Sequence, residues 1–539
     1  MSVNYADSYW QYLESAGLNL DSEALSTVET SIESTSWDNP TSAIELNNCA
    51  VLALVEAEQC EDSSLRAMYL EMAFEALSQG IELSGHPLCA AHLALVFAMT
   101  GEMEQGIQTA FPTLINTLHP ADINEQSMPL GLVYLPPGNG FTDNRYEQLA
   151  HILDAEDGYA QSIFLLSEVL CRSQLVFYNA TGLRFIHLAV QLFSDSPSIH
   201  LKLGIASLIN SQWEGLFNLH QAKNLAPYSA RIIQSLYLAY RDLGQIDLAK
   251  YWRNMGLARA GEIRDENSDL IGFEWTELEL ESSFTYVTFE DQLLLAVEPS
   301  LRSLVTSVLI AQGDWFEKEM EFWRNWLQPG MTVIDVGANV GVYTFSAALR
   351  VGAEGCVLAV EPFSGCVRCL QETCTINQLD WVKVCPGAAS DRNGTAQLAL
   401  HGASELNEIV SSDEQATVKS GSFEEVSCFT LDSLMEQEAI SQEAISKVDL
   451  LKIDAEGHEL QVLAGSNRIL TEFTPTILYE NIAGSRGSNL AVADFLRDRG
   501  YQLYQYQPYL GHLIPINSRE DLQGRLNIIA LPENIAREE

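Results

Sequence analysis

The chain has 539 residues, 47% hydrophobic and 19% charged, with a formal net charge of −44. That length exceeds what one hydrophobic core serves, so two or more domains are expected, and the apolar share excludes a disordered chain. The acid excess repels phosphate backbones and anionic lipid, which excludes nucleic acid as a partner and is read as a device for solubility, with a cationic partner as the lesser reading.

The opening residues, Met-Ser-Val-Asn-Tyr-Ala-Asp, lack the basic start and apolar core of a signal peptide. No apolar run approaches the ~20 residues of a membrane span. The ten cysteines are scattered, unlike a secreted disulfide scaffold. A cytoplasmic protein is expected. Before Lys202, the first lysine, only Arg66, Arg145, Arg172 and Arg184 are basic.

Residues 1–261 read as helix after helix, with leucine and alanine at helical spacing and turn residues between. Asn210 and Gly244 lie 34 residues apart, each at a turn between two helices. The segments Leu95…Gly101-Glu-Met-Glu-Gln-Gly106 and Tyr237…Gly244-Gln-Ile-Asp-Leu-Ala249 resemble the tetratricopeptide signature, whose small residue lets paired helices cross closely. This implies an all-α solenoid of stacked pairs; a plain helical domain is the alternative. Leu130 to Asn144 is expected to be a loop interrupting it. Residues 262–284 are acidic and aperiodic and read as a linker.

From 285 to 539 short apolar runs alternate with helical segments, predicting an α/β doubly wound domain. Val333 to Val336 ends in Gly337-x-x-x-Gly341 and passes into a helix. Neither the dinucleotide fingerprint nor a phosphate loop is present, so a cofactor without pyrophosphate is favoured. The next strand ends in Glu361-Pro362, where a carboxylate is placed to accept bonds from a ribose. A third strand leads to Ala388-Ala-Ser-Asp391, with Asp391 equally well a plain surface turn. Val448-Asp-Leu-Leu-Lys452-Ile-Asp454-Ala-Glu456-Gly457-His458-Glu459 begins as a strand beside the first one, at the switch point where ligands bind. Period two sets Lys452 and Asp454 on one side, and Lys452 is expected to pair with a carboxylate. A fifth strand ends in Tyr479-Glu480.

The order Asp-Val-Gly-Ala-Asn-x-Gly (335–341), Glu-Pro (361–362), Ala-Ser-Asp (389–391), Thr-Leu-Asp-Ser-Leu (430–434), Lys-Ile-Asp-x-Glu-Gly-x-Glu (452–459) and Tyr-Glu (479–480) resembles the FkbM family of methyltransferases over roughly 285–532. The resemblance implies S-adenosylmethionine as cofactor, bound by Asp335, Gly337, Ala338, Asn339, Gly341, Tyr343, Glu361, Pro362, Ala389 and Asp391. It implies O-methylation of a small-molecule or glycan acceptor, a sugar, glycolipid or natural product. Lys452, Asp454, Glu456, His458 and Glu480 would line the reactive end. Asp454 is the first choice for base or anchor of the acceptor, with Glu456, His458 and Glu480 behind it. A divalent metal on Asp454 and neighbouring carboxylates is left open.

Cys366-x-x-Cys369-x₄-Cys374 shares one face of a helix and reads as small hydrophobes rather than a zinc site. Two other functions compete. One is methylation of a peptide or protein held by the helical domain, which could equally serve protein binding or self-association. The other is a scaffold with a decayed fold, which the intact Gly337, Gly341 and Glu361 disfavour.

Overall fold

The computed structural model describes every residue except 1–4, 16–21, 61, 84–85, 119–127, 137–144, 173–182, 184–185, 188–189, 192–193, 266–271, 402–403, 411–421, 442–446, 483–486 and 534–539. The chain forms two compact units, 1–227 with 507–512 and 228–506 with 513–539. Among the described residues no helix is long and apolar enough to cross a membrane.

In the first unit consecutive helices pack as pairs: Ala43–Gln59 on Ser63–Glu82, Pro87–Met99 on Met103–Leu118, and Pro197–Ile209 on Gly215–Leu225. Their ends are chemically marked. Ser42 and Glu45 form a capping box, and Pro87 and Pro197 open their helices where a missing N–H costs nothing. The small residue expected at 106 has a structural reason. A Cβ on Gly106 would come 2.9 Å from the Ala94 carbonyl on the partner helix. Gly204 and Gly215 meet in the same way in the third pair, where a Cβ on Gly215 would lie 2.5 Å from the Gly204 carbonyl.

Part of the expected loop is something else. Residues 137–144 lie outside the described residues, but 128–136 form an extended segment threaded through the helical core, with Leu132, Val133, Tyr134 and Leu135 fully buried. An extended backbone inside helices has no neighbouring strand, so side chains must satisfy its polar groups. Tyr9 Oη donates to the Val133 carbonyl (2.8 Å) and accepts from the Val133 N–H (3.1 Å). Tyr12 Oη accepts from the Leu135 N–H at 2.9 Å, and Asn48 Oδ1 from that of Leu132 at 2.9 Å. Asn47 Nδ2 donates to the Leu132 carbonyl, His92 Nε2 accepts from Tyr134, and the Gln161 amide both accepts from and donates to Gly131. The Pro-Pro-Gly-Asn-Gly composition downstream suggested a surface loop, and nothing in the sequence spacing marks these six partners.

In the second unit the helical pair Ala230–Asp242 and Ile246–Asp265 precedes the sheets. The second compact unit thus begins at 228, inside the stretch expected to be helical up to 261. Sequence texture could not show this, because the helices continue across it. Gln234 Nε2 donates to Thr285 Oγ1 (3.0 Å) and the Tyr286 carbonyl (2.8 Å), Asp242 Oδ2 accepts from the Leu301 N–H (2.8 Å), and Tyr237 stacks on buried Trp275 with centroids 5.2 Å apart. Of the expected linker, 266–271 lie outside the described residues, while 272–284 carry the short 3₁₀ helix Glu274–Glu277.

Strands β1 (Thr285–Phe289) and β2 (Leu293–Val297) form a hairpin. The main sheet holds β3 (Thr332–Val336), β4 (Cys356–Glu361), β5 (Val382–Pro386), β10 (Leu450–Ile453), β11 (Thr476–Glu480), β12 (Tyr501–Gln507), β13 (His512–Pro515) and β14 (Asn527–Pro532). Their order is β13-β12-β14-β11-β10-β3-β4-β5. Five strands, β5 to β11, run parallel, and β14 inserts antiparallel between β11 and β12. Every residue of β3, β10 and β11 is buried, as expected of parallel strands covered on both faces. A second sheet, of order β6-β9-β7-β8, comprises Ala388–Ala389, Ser422–Phe429, Gly394–Leu400 and Glu408–Val410, and no expectation covered it.

Candidate active site

Strand register gathers the candidate residues. Val336 pairs with Val360 on one side and Ile453 on the other, and Ile453 pairs with Tyr479. One residue beyond this line stand Gly337, Glu361, Asp454 and Glu480. The chain leaves β3 for β4 and β5 on one flank and returns to β10 on the other, so these residues flank the point where strand order reverses.

The glycine loop is tight because two loops share its space. Gly337 has φ +76°, and a Cβ there would overlap the carbonyl oxygen of Asp454. Asn339 also sits in the left-handed region, φ +51°, where its short side chain caps the next N–H: Val340 donates to Asn339 Oδ1 at 2.8 Å. Gly341, φ +99°, opens the helix Val342–Val351 against Phe345 and Leu370.

Glu361 ties this loop to β4. Its Oε2 accepts from the Asn339 N–H and its Oε1 from the Phe363 N–H, across Pro362, both at 2.8 Å. Burial pushes its carboxyl up to about 7, the two backbone bonds pulling the other way. Ala389 is buried, while Asp391 is exposed in an ion pair with Arg392.

Asp335, Ala338 and Tyr343, expected at the cofactor, are buried at and beneath this loop. Asp335 is wholly covered: Thr344 Oγ1 donates to its Oδ2 at 2.6 Å, and its Oδ1 has no hydrogen-bond partner among the described residues. Burial raises its pKa, and Lys452, 4.0 Å away, opposes the rise. These residues support the loop from beneath because the register faces Asp335 inward, opposite Lys452.

The expected pairing of Lys452 is present. Its Nζ donates to Asp454 Oδ2 at 2.9 Å and stands 4.6 Å from the Tyr343 ring centre. Burial works against the ammonium, but Asp454, Asp335 and Glu317 together hold its pKa above the ordinary value.

Glu317 had no sequence signal, lying in an acidic, aromatic stretch upstream of the glycine loop. Its Oε2 accepts from Tyr343 Oη (2.6 Å) and from Asn527 Nδ2 (2.9 Å), joining residues over two hundred positions apart.

Glu456 is left-handed, φ +49°, beside Gly457 at φ +93°. Glu459 holds that turn by accepting from the Ala455 and Gly457 N–H groups at 3.1 and 2.9 Å, so the last acid of the motif shapes the loop. Glu480 is buried, and its Oε2 has no hydrogen-bond partner among the described residues. Burial, Asp454 and Glu456 drive its carboxyl far above the ordinary range, so at neutral pH it is a poor base. His458 does not point into solvent: its Nε2 lies 2.9 Å from Ser390 Oγ, and burial lowers its pKa. The helix Ser364–Asn377 buries Cys366 and Cys369 as apolar residues, with thiol pKa values raised chiefly by burial.

Residues 335–503 match the family described as the methyltransferase FkbM domain. This stretch is similar to FkbM methyltransferase domains. No curated protein matches the chain. Solved structures similar to it include the methyltransferase FkbM from Methylobacillus flagellatus (14% identity, 43% of this chain and 54% of that one, TM-score 0.25). A SAM-dependent methyltransferase from Aquifex aeolicus (14%, 40% and 88%, 0.23) and MamA from Desulfovibrio magneticus (15%, 41% and 97%, 0.25) are others. The chain thus spans about half of the Methylobacillus protein. The matched stretch starts at Asp335, so Glu317 stands outside it in sequence while bonding to its Tyr343.

Proposed function

We propose that the FkbM domain binds S-adenosylmethionine and methylates a hydroxyl of a sugar, glycolipid or natural product. The observation that carries this reading is the set of strand ends: a glycine loop, Glu361 at the end of β4, and carboxylates from β10 and β11, with Lys452 as the ammonium among them. An anionic pocket of this kind suits a cationic sulfonium and repels a pyrophosphate. The donor set therefore fits S-adenosylmethionine.

When bound, the cofactor supplies a methyl carbon on a positively charged sulfur; transfer forms one O–C bond, breaks one C–S bond and releases the hydroxyl proton. Glu361 accepts from the ribose hydroxyls on the lone pairs that Asn339 and Phe363 leave open. Asp454, fixed by Lys452, receives the acceptor hydroxyl and its proton. Glu317, Tyr343 and Thr344 keep Lys452 and Asp335 in place beneath. Alignment and exclusion of water supply much of the acceleration.

The helical region of the first unit is read as a tetratricopeptide-like solenoid that binds the acceptor, its carrier or a second copy of the chain. Segment 128–136 already fills its interior, which weighs against an open groove for a peptide acceptor.

The test offers the full chain labelled S-adenosylmethionine with hydroxyl-bearing glycans and metabolite fractions. Alkali-stable label, as in a methyl ether, supports the reading; label released as methanol, or found on nitrogen, replaces it. Absence of cofactor binding by calorimetry ends it.

A further inference from the structure

Three carboxylates meet at the C-terminal ends of β10 and β11. One oxygen from each of Asp454, Glu456 and Glu480 lies within 4.8 Å of the others. Acidic groups often cluster on a protein this acidic, so proximity alone assigns nothing. Glu480 supplies the second observation. It is 9% exposed, projects from the end of an otherwise buried strand into the cluster, and its Oε2 is wholly covered with no hydrogen-bond partner among the described residues. A buried carboxylate oxygen without a donor is costly. Three neighbouring polar side chains are committed elsewhere. Asn481, the next residue, gives its amide N–H groups to the Leu522 and Arg525 carbonyls and its Oδ1 to the Asn489 N–H. Glu459 is held by the 455–457 turn and Asn489. Lys452 is spent on Asp454 Oδ2, and the other oxygen of Asp454 takes no bond from a described residue.

We propose that Asp454, Glu456 and Glu480 bind a hard divalent cation of the magnesium or manganese kind. All-oxygen donors suit such ions, which keep several waters and bind through a few carboxylates. An oxygen-to-oxygen span of 4.8 Å is close to twice a cation–oxygen bond of about 2.1–2.4 Å. One ion therefore reaches all three after small side-chain adjustments. Lys452 pairs with Asp454, and Glu456, in a left-handed turn, brings its carboxylate to the other two. The role given to the ion rests on the methyl-transfer reading: it would draw an acceptor hydroxyl, or two adjacent ones, to the strand ends and ease loss of the proton. Binding of the ion does not rest on that reading.

The full chain, stripped with chelator, is titrated with Mn²⁺ at about 0.15 M salt, where loose surface binding is screened, and free Mn²⁺ is read by its electron spin resonance signal. One saturable site, competed by Mg²⁺ and weakened at least tenfold by Glu456→Gln and by Glu480→Gln, is expected. Glu472→Gln, an exposed acid paired with Arg468, should change nothing. Glu456 is partly exposed, so its variant reads the site even where the buried Glu480→Gln loses fold by circular dichroism. No saturable site, or one indifferent to Glu456→Gln, overturns the proposal and leaves a proton on Glu480 as the occupant. Tight Mn²⁺ binding without cofactor binding would sink the methyltransferase reading and keep the site.

Discussion

Gly337 packs face to face with the backbone of Asp454, so the cofactor loop and the reactive loop are built against each other. A side chain at 337 would collide with the carbonyl of 454, and its φ of +76° is one that L residues resist. Gly337→Ala is expected to cost about 1–2 kcal/mol for the left-handed backbone and a further ~1–3 kcal/mol for the overlap. Urea unfolding of the full chain should show that loss, and cofactor calorimetry a weakened site. Wild-type affinity in the variant would mean the two loops do not depend on each other.

Glu361 and Asp454 should separate binding from chemistry. Glu361→Ala leaves two ribose hydroxyls without a charged partner, a loss of about 1.5–3 kcal/mol in cofactor affinity. Asp454→Asn should leave cofactor affinity within a few-fold while turnover collapses. Reversed behaviour would show that the roles are exchanged.

Cofactor affinity should fall on the acid side of neutrality. Burial holds the Glu361 carboxyl at about 7, above its ordinary range. Above that pH the carboxylate accepts from the ribose; as pH falls through it, a proton occupies an acceptor oxygen. Affinity should then drop by up to about tenfold per pH unit, since one unit equals 1.36 kcal/mol. Glu361→Gln should flatten the profile between pH 5 and 8; a slope that survives the change belongs to another group. The same shift makes ionisation of Glu361 a burden on folding that grows as pH rises from the ordinary carboxyl range toward about 7.

In the helical unit, removing a side chain that serves the threaded backbone should matter more than altering the segment's own apolar side chains. Asn48→Ala strands the buried Leu132 N–H, at about 1–3 kcal/mol, and also removes the donor to Thr35. Leu132→Met keeps volume and should cost under about 1.5 kcal/mol. Denaturant midpoints of the two variants decide it, and equal losses would contradict a backbone-directed fit.

What the sequence made legible follows from local periodicity. Strand ends at Val336, Glu361 and Glu480 are written as apolar runs closed by glycine or acid, and their shared level follows once the strands are paired in parallel. A carboxylate partner for Lys452 was expected because a lysine sits in a buried run, and strand period set Asp454 on its side. Partners brought from outside such patterns were invisible. Glu317 joins Tyr343 and Asn527 by tertiary packing, and the second sheet around Gly394–Leu400 has weak alternation. Glu459 closed the motif without an assigned role, and its two backbone bonds make it the brace of the turn. The position of Asp335 in the motif does not tell which way a buried strand residue faces, so its bond from Thr344 had no signal.

The threaded segment also carries an order of events. As the polypeptide leaves the ribosome, Tyr9, Tyr12, Asn47, Asn48 and His92 are all synthesised before residue 128 emerges; of the side chains that bond its backbone, Gln161 comes later. Since domains fold from the N-terminus during synthesis, the early helices can be waiting as a mould when the segment arrives. Gln161 then closes over Gly131 as a latch.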